Sequence, residues 1–281
     1  MRKFLIITRS LDRHIDLIES IKSAIETMGG LCEVAVSPDN EDEESVFVPE
    51  GTECILTVGG DGTLIGSAQM TFGSGIPLLG VNRGHLGYLC DLNEDTIFDA
   101  LERLFQDQYS VEERMMLSGH IVDADGRKQP SVQALNDIVI SAGQGLNVIQ
   151  LSVYVDGEYL YSYVCDGMIF STPTGSTAYN LSANGPIVDP KTSVILLTPI
   201  NPHTLNSRSI VLDPNAEIEV EVIPRRHKTP ESASIAFDGG HKRILHPGEK
   251  LVVCRANATT KMIALSQISF LERMSKKLQE N

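Results

Sequence analysis

Cys54-Ile55-Leu56-Thr57-Val58-Gly59-Gly60-Asp61-Gly62-Thr63-Leu64-Ile65-Gly66-Ser67-Ala68-Gln69-Met70 is the stretch that decides how the first part of the chain folds. Cys54–Val58 is short and apolar, as a buried strand is, and it runs straight into a glycine-rich turn. Thr63–Met70 then reads as a helix. Glycines have no Cβ, so they reach left-handed backbone conformations and let a ligand approach the main chain closely. Successive N–H groups ahead of a helix N-terminus make an anion site. Asp61 is the unusual member of this turn. A carboxylate beside a phosphate cradle repels the ligand unless it holds a metal or accepts a proton from the attacking group.

The same alternation continues on both sides. Phe4–Thr8 reads as a buried strand, and Ile15, Ile18, Ile21, Ile25 and Met28 fall at helical spacing, with Gly29-Gly30 closing that helix. Val34–Val36 is a second strand, followed by the acidic stretch Asp39–Glu44, a solvated loop. Ile76–Val81 is a further strand. Glu94–Phe105 is a helix with Ile97, Leu101, Leu104 and Phe105 on its apolar side. Strand–helix alternation of this kind predicts a mostly parallel, Rossmann-like sheet with helices on both faces, over residues 1–115.

Past residue 115 strands succeed each other through turns. Leu151, Val153 and Val155 alternate with polar neighbours ahead of a hairpin turn at Asp156-Gly157. Ile218, Val220 and Val222 alternate with Glu217, Glu219 and Glu221, one face in and one out, and Leu251–Cys254 is another strand. These features predict a β-rich antiparallel domain over 116–260. The segment 261–281, weakly helical over Phe270–Gln279, is expected to pack back on the first domain.

Bulk properties narrow the function classes. The chain has 281 residues, 42% hydrophobic and 21% charged, enough for two small domains with real cores. A net charge of −14 excludes a general positive field, so neither nucleic acid nor an anionic membrane is an expected partner. A phosphorylated ligand would have to be held locally, by backbone N–H groups, a few placed cations and bound metal. The five cysteines, Cys32, Cys54, Cys90, Cys165 and Cys254, show no zinc-site or redox-pair spacing and read as thiols of a reducing compartment. Met1–Ile7 starts like a signal peptide, but Thr8, Arg9 and Ser10 cut the apolar run short. No run is long enough to span a bilayer. The expected location is the cytoplasm.

A second cluster, Asp166-Gly167-Met168-Ile169-Phe170-Ser171-Thr172-Pro173-Thr174-Gly175-Ser176-Thr177-Ala178-Tyr179-Asn180-Leu181-Ser182, starts with an acid, crosses an apolar strand and enters a run of small hydroxylic residues. Thr177–Ser182 reads as the opening of a helix. Small hydroxyls and bare amides suit a nucleotide lying against the chain. The hydride-transfer fingerprint G-x-G-x-x-G and the P-loop G-x-x-x-x-G-K-[ST] are both missing from the sequence.

Gly59–Thr63, Asn82–Leu89, Asn136-Asp137, Asp166–Ser182 and Pro199–Leu205 together resemble, in order, the motif series of the NAD kinase family, over most of residues 55–240. The resemblance implies an NAD kinase/diacylglycerol kinase-like fold, with an α/β N-terminal domain, a β-rich C-terminal domain and an active site drawing on both. It implies transfer of the γ-phosphoryl group of ATP, aided by a divalent metal (Mg or Mn), to the adenosine-ribose 2′-hydroxyl of NAD. Asp61 would be the catalytic acid that orients or deprotonates that hydroxyl. Gly59, Gly60, Gly62 and Thr63 would cradle phosphate, with Arg83 as a cationic partner. Gly62, Asn136, Asp137, Asp166, Thr174, Thr177, Ala178, Tyr179, Asn180 and Ser182 would hold NAD. A homodimer or homotetramer is implied as well, with metal ligands left open. The chain departs from the family pattern at Asp137 (commonly Glu), Val164, Asn184 and Gly240.

Some residues have plainer readings. His203 suits a local turn cap, and His85 either a surface loop or a substrate contact. Arg208 is a second phosphate-binding candidate. Tyr159, Tyr161 and Tyr163, at period two, suit strand packing. A diacylglycerol-type lipid kinase shares the glycine turn, but the sequence has no amphipathic membrane-docking segment. A non-catalytic NAD(P) sensor is the second alternative.

Overall fold

The computed structural model describes residues 1–37, 46–83, 87–90, 92–143, 148–204, 207–224, 232–265 and 269–279. The acidic stretch Asp39–Glu44 and His85 lie outside the described residues. Among the described residues no helix is long and apolar enough to cross a membrane.

Cys54–Val58 forms a strand because every one of its residues is buried, as befits a strand covered on both faces. It is the third of the first unit. In order the chain makes β1 (Lys3–Thr8), α1 (Leu11–Thr27), β2 (Leu31–Val36), β3 (Cys54–Val58), α2 (Asp61–Met70), β4 (Leu78–Asn82), β5 (Leu92–Asn93), α3 (Ile97–Phe105) and β6 (Ser110–Arg114). Helix α1 buries Leu17, Ile18, Ile21 and Ile25 and ends at Gly29, whose φ of 81° only glycine adopts without strain. Ile15, expected in that stripe, is 38% exposed; it sits on the stripe's flank, and Leu17 on the other flank packs instead.

The second unit follows: β7 (Leu117–Val122), β8 (Val132–Ala134), β9 (Asp137–Ala142), β10 (Ile149–Val155), β11 (Glu158–Cys165), β12 (Gly167–Ser171), the short helix α4 (Tyr179–Ser182), β13 (Ile195–Ile200), β14 (Ile210–Leu212), β15 (Ile218–Val222), β16 (Ala233–Phe237), β17 (His241–Leu245) and β18 (Lys250–Arg255). One antiparallel sheet runs β11-β10-β15-β18-β7-β8 and the other β14-β13-β12-β9-β16-β17. Leu117, Val153 and Val220 from the first share a core with Ile138, Phe170 and Phe237 from the second, as in two sheets packed face to face. The Asp156-Gly157 turn has φ of 53° and 80°, the paired positive values that close a two-residue hairpin. Of the three expected packing tyrosines only Tyr163 is buried; Tyr159 and Tyr161 are exposed.

The chain then returns to the first unit as β19 (Thr260–Ala264) and α5 (Phe270–Gln279). The two units are Met1–Glu113 with Thr260–Asn281, and Arg114–Thr259. The sheet of the first has the order β2-β1-β3-β4-β19-β6, with β5 added to β4, and β2-β1, β1-β3 and β3-β4 are parallel.

Candidate active site

The turn after β3 is shorter than the sequence suggests. Helix α2 starts at Asp61, two residues before the expected Thr63, because an acid is favoured in the positive first turn and the glycines do not prevent it. Gly59 has φ of 152°, and a Cβ there would come within 2.4 Å of Thr63 Oγ1, so the site accepts only glycine. The Thr63 N–H turns back to Gly60 O at 2.9 Å. The N–H groups ahead of it have no partner within the helix and point out of its N-terminus.

Asp61 is half-buried, and its carboxylate is gripped by main chain. Oδ2 accepts the Tyr88 N–H at 2.8 Å, and Oδ1 accepts those of Leu89 and Cys90 at 3.2 and 3.1 Å. The end of the Asn82–Leu89 motif thus contributes backbone: Tyr88 and Leu89, with Cys90 just past it, deliver amides to the acid. A Cβ on Gly87 would stand 2.1 Å from Asp61 Oδ1, so the close approach depends on that glycine. Arg83, expected at phosphate, pairs through Nε with Glu94 at 2.8 Å and donates Nη1–H to the Arg13 carbonyl.

In the second unit Asn136 and Asp137 sit at the start of β9, where Ser171 of β12 faces Asp137. Asp238, whose φ is 50°, places its carboxylate beneath them. It accepts three successive N–H groups, Leu135 at 2.8 Å, Asn136 at 2.7 Å and Asp137 at 3.0 Å. Burial pushes the Asp238 carboxyl up to about 6 against the pull of those amides. Burial, and then the neighbouring Asp238, push Asp137 up to about 7. The Asn136 Oδ1 atom is buried and has no hydrogen-bond partner among the described residues.

The hydroxylic run folds onto the same spot. Thr172 Oγ1 donates to Leu135 O at 2.6 Å and accepts the Gly175 N–H at 3.0 Å, while the Thr172 N–H reaches Asn136 O at 2.9 Å. Gly175 presses on the Asn136 main chain so closely that a Cβ would lie 2.1 Å from its oxygen. Thr174–Thr177 make a 3₁₀ turn and Tyr179–Ser182 a separate short helix, since Ala178, at ψ of −129°, breaks the single helix expected there. Thr174 is buried, Thr177 and Ala178 half-buried, Tyr179 and Ser182 exposed. Asn180 is fully buried with both ends of its amide engaged: Nδ2 donates to Ser176 O and Pro186 O, and Oδ1 accepts from Thr198 Oγ1.

Asn136, Asp137 and Thr174–Ser182 are therefore brought together, whereas Asp166 lies at the far end of β12. It is roughly 17 Å away, the length of a five-residue strand, and accepts from Asn201 Nδ2 at 2.9 Å. His203 is exposed, and its N–H donates to Val164 O at 2.8 Å. Arg208 donates to Ser207 O. Sequence reading passed over Asp238 and marked only Gly240, two residues on; the turn-forming run Asp238-Gly239-Gly240 was the available signal. Among the described residues no group of three His, Cys, Asp or Glu side chains could hold a metal ion.

A glycine turn carrying an acid in one unit, and a buried polar cradle in the other, mark a nucleotide-binding phosphotransferase. Residues 11–109 match the ATP-NAD kinase N-terminal domain and residues 135–265 the ATP-NAD kinase C-terminal domain. The chain is 45% identical to the NAD kinase of Agathobacter rectalis over 99% of both chains. With the NAD kinase of Lachnospira eligens it shares 41% identity over 83% of this chain and 82% of that one. In fold it is similar to yeast NADH kinase complexed with NADH, with a TM-score of 0.85, 23% identity, and coverage of 100% of this chain and 88% of that one. It is similar also to an NAD kinase from Archaeoglobus fulgidus in complex with ATP, with a TM-score of 0.78, 24% identity and full coverage of both. The chain belongs to the NAD kinase family. Its activity is that of a kinase acting on NAD.

Proposed function

We propose that this enzyme transfers the γ-phosphoryl group of ATP in line to the adenosine-ribose 2′-hydroxyl of NAD, giving NADP and ADP without a phospho-enzyme. The observation that carries the mechanism is the Asp61 carboxylate, fixed by three amides at the mouth of the glycine turn. Asp61 orients the 2′-hydroxyl and takes its proton as the new P–O bond forms and the bond to ADP breaks. A positioned base contributes on the order of 10²–10⁴-fold, and positioning of the two substrates supplies much of the rest. The N–H groups of Gly60 and Gly62, with Gly59 leaving room, receive phosphoryl oxygens, and Thr63, whose N–H is turned back to Gly60 O, adds its hydroxyl. Arg83 joins them only on releasing Glu94.

On the NAD side Asn136 offers its unpartnered Oδ1 to a ribose or amide donor, and Asp137 accepts a ribose hydroxyl. Thr174, Thr177, Ala178, Tyr179 and Ser182 line the nucleotide, with Tyr179 exposed for stacking. Asn180 works by holding that turn, and Asp166 makes a separate contact at the far end of β12. The divalent ion, Mg or Mn, comes as part of the metal–ATP substrate, in keeping with a cation that keeps to substrate phosphates and one or two carboxylates. When bound it neutralises charge on the phosphoryl oxygens. The enzyme works in the cytoplasm as a homodimer or homotetramer; five cysteines, none of them in a disulfide, suit a reducing compartment, and light scattering tests the assembly.

The deciding experiment incubates the protein with ATP, Mg²⁺ and either NAD or an NAD analogue lacking the adenosine 2′-hydroxyl. NADP from the first and no phosphorylation of the second is the expected result. A protein that binds NAD yet forms no NADP is the non-catalytic sensor instead.

A further inference from the structure

β1 and β3 lie side by side with Thr8 opposite Val58, yet the chain leaves them in opposite directions. From β1 it goes through α1 to β2 on one side of the sheet, and from β3 through α2 to β4 on the other. Where strand order reverses, the two loops part and open a crevice at the carboxyl ends of the strands, the usual seat of a nucleotide's phosphates in such sheets. One lip of that crevice is Gly59–Gly62. The other begins with Arg9.

Arg9 is exposed, and its guanidinium lies along α2 over residues 62 and 66, one helical turn apart. Both are glycine. A Cβ on Gly66 would stand 2.9 Å from Arg9 Nη2, and one on Gly62 3.7 Å from Nη1. Neither glycine has a positive φ, so backbone conformation does not call for them. Inside a helix each is less favourable than alanine. What their missing side chains provide is a seat for the guanidinium. Among the described residues Arg9 has no ion-pair partner, whereas Arg83 is bound to Glu94. In a chain of net charge −14, a planar cation held at the glycine turn is where phosphate finds bidentate donors.

We propose that Arg9 binds the phosphoryl oxygens of the donor triphosphate, the task that sequence reasoning assigned to Arg83. The proposal rests on the NAD kinase reading. With bound ATP, Arg9 adds two N–H donors to those of the turn and offsets charge on the group being transferred.

Steady-state NADP formation with ATP and NAD varied separately, in wild type, Arg9→Gln, Arg9→Lys, Gly66→Ala and Arg83→Gln, tests it. Arg9→Gln is expected to lower kcat/KM for ATP roughly 10- to 100-fold, the range of a charge-assisted hydrogen bond. Its KM for NAD should stay within about twofold of wild type, and Arg9→Lys should recover part of the loss. Gly66→Ala should weaken ATP use in the same direction while thermal stability holds or rises, because its Cβ displaces only the end of a flexible side chain. The proposal is overturned if Arg9→Gln leaves kcat/KM for ATP unchanged, if its loss falls equally on NAD, or if Arg83→Gln alone carries the ATP defect. A wild type that makes no NADP defeats the kinase mechanism itself; an active wild type matched by Arg9→Gln defeats only the assignment of Arg9.

Discussion

Two aspartates in this molecule do the same thing in different surroundings. Asp61 collects the N–H groups of Tyr88, Leu89 and Cys90, and Asp238 those of Leu135, Asn136 and Asp137. Each carboxylate ties down a short run of chain with three donors. Asp61 is half-buried at a helix N-terminus, beside glycines that keep the space around it open. Asp238 is half-buried as well, but it lies under the start of a β-strand with a second carboxyl, the buried Asp137, as its neighbour, and the burial of its own carboxyl group lifts its pKa against three amides. The difference shows that three hydrogen bonds do not define a carboxylate's job. What surrounds the acid, an open helix N-terminus or a second, buried carboxyl, decides whether it meets substrate or only shapes the loop that does.

The largest effect expected from this contrast is on turnover. Asp61→Asn removes the proton acceptor and should lower kcat by about 10²–10⁴-fold, with NAD still bound in equilibrium titration. An Asp61→Asn enzyme within tenfold of wild type would reduce Asp61 to a loop anchor and erase the contrast with Asp238.

Next in size is a dependence of stability on pH that comes from the second unit. A group whose pKa is raised by folding stabilises fully below its unfolded value, and that contribution is lost as pH rises through the folded value. For Asp137 the window runs from 3.8 to about 7, and for Asp238 from 3.8 to about 6. Against Asp137→Asn, the wild type should therefore lose stability on the order of a few kcal/mol between acid and neutral pH. Chemical denaturation of both proteins at several pH values measures it. A constant difference between them would mean that Asp137 titrates as an ordinary carboxyl.

Much of this was legible in the sequence, for definite reasons. β3, its glycine turn and the helix beyond follow from an apolar run, three glycines and an acid in a fixed order, all local signals. The antiparallel unit follows from strand alternation at Leu151–Val155 and Ile218–Val222. What the sequence hid was contact between distant segments. Nothing local says that Tyr88–Cys90 will turn their amides to Asp61, or that Asp238 will find residues 135–137 about a hundred positions earlier. Asp166 and Thr172 look adjacent in the chain, yet a strand separates them. Arg83 looked like a phosphate ligand because its partner Glu94 becomes its neighbour only in the fold.

The same close packing sets a smaller test. Gly87→Ala places a methyl group on Asp61 Oδ1, so the carboxylate must rotate away from its amides. A fall of about tenfold in kcat, worth about 1.4 kcal/mol of barrier, is expected with little change in melting temperature. Unaltered kcat would mean that Asp61 tolerates displacement and that its amide cradle is incidental to catalysis.

Asp238→Asn should have the smallest effect on turnover and so sharpens the comparison most. An amide keeps one acceptor oxygen and turns the other into a donor, so at least one of the three N–H groups goes unmatched, costing about 1–3 kcal/mol. Removing a carboxyl that burial disfavours offsets part of that, and the net loss of stability should be about 1 kcal/mol. The loop carrying Asn136 and Asp137 loosens, so KM for NAD should rise several-fold while kcat at saturating NAD stays within about twofold. Because Asp61→Asn makes the same chemical change to the same three-amide pattern, a matching collapse in kcat at Asp238 would show that the cradles, and not what surrounds the acid within them, govern phosphoryl transfer.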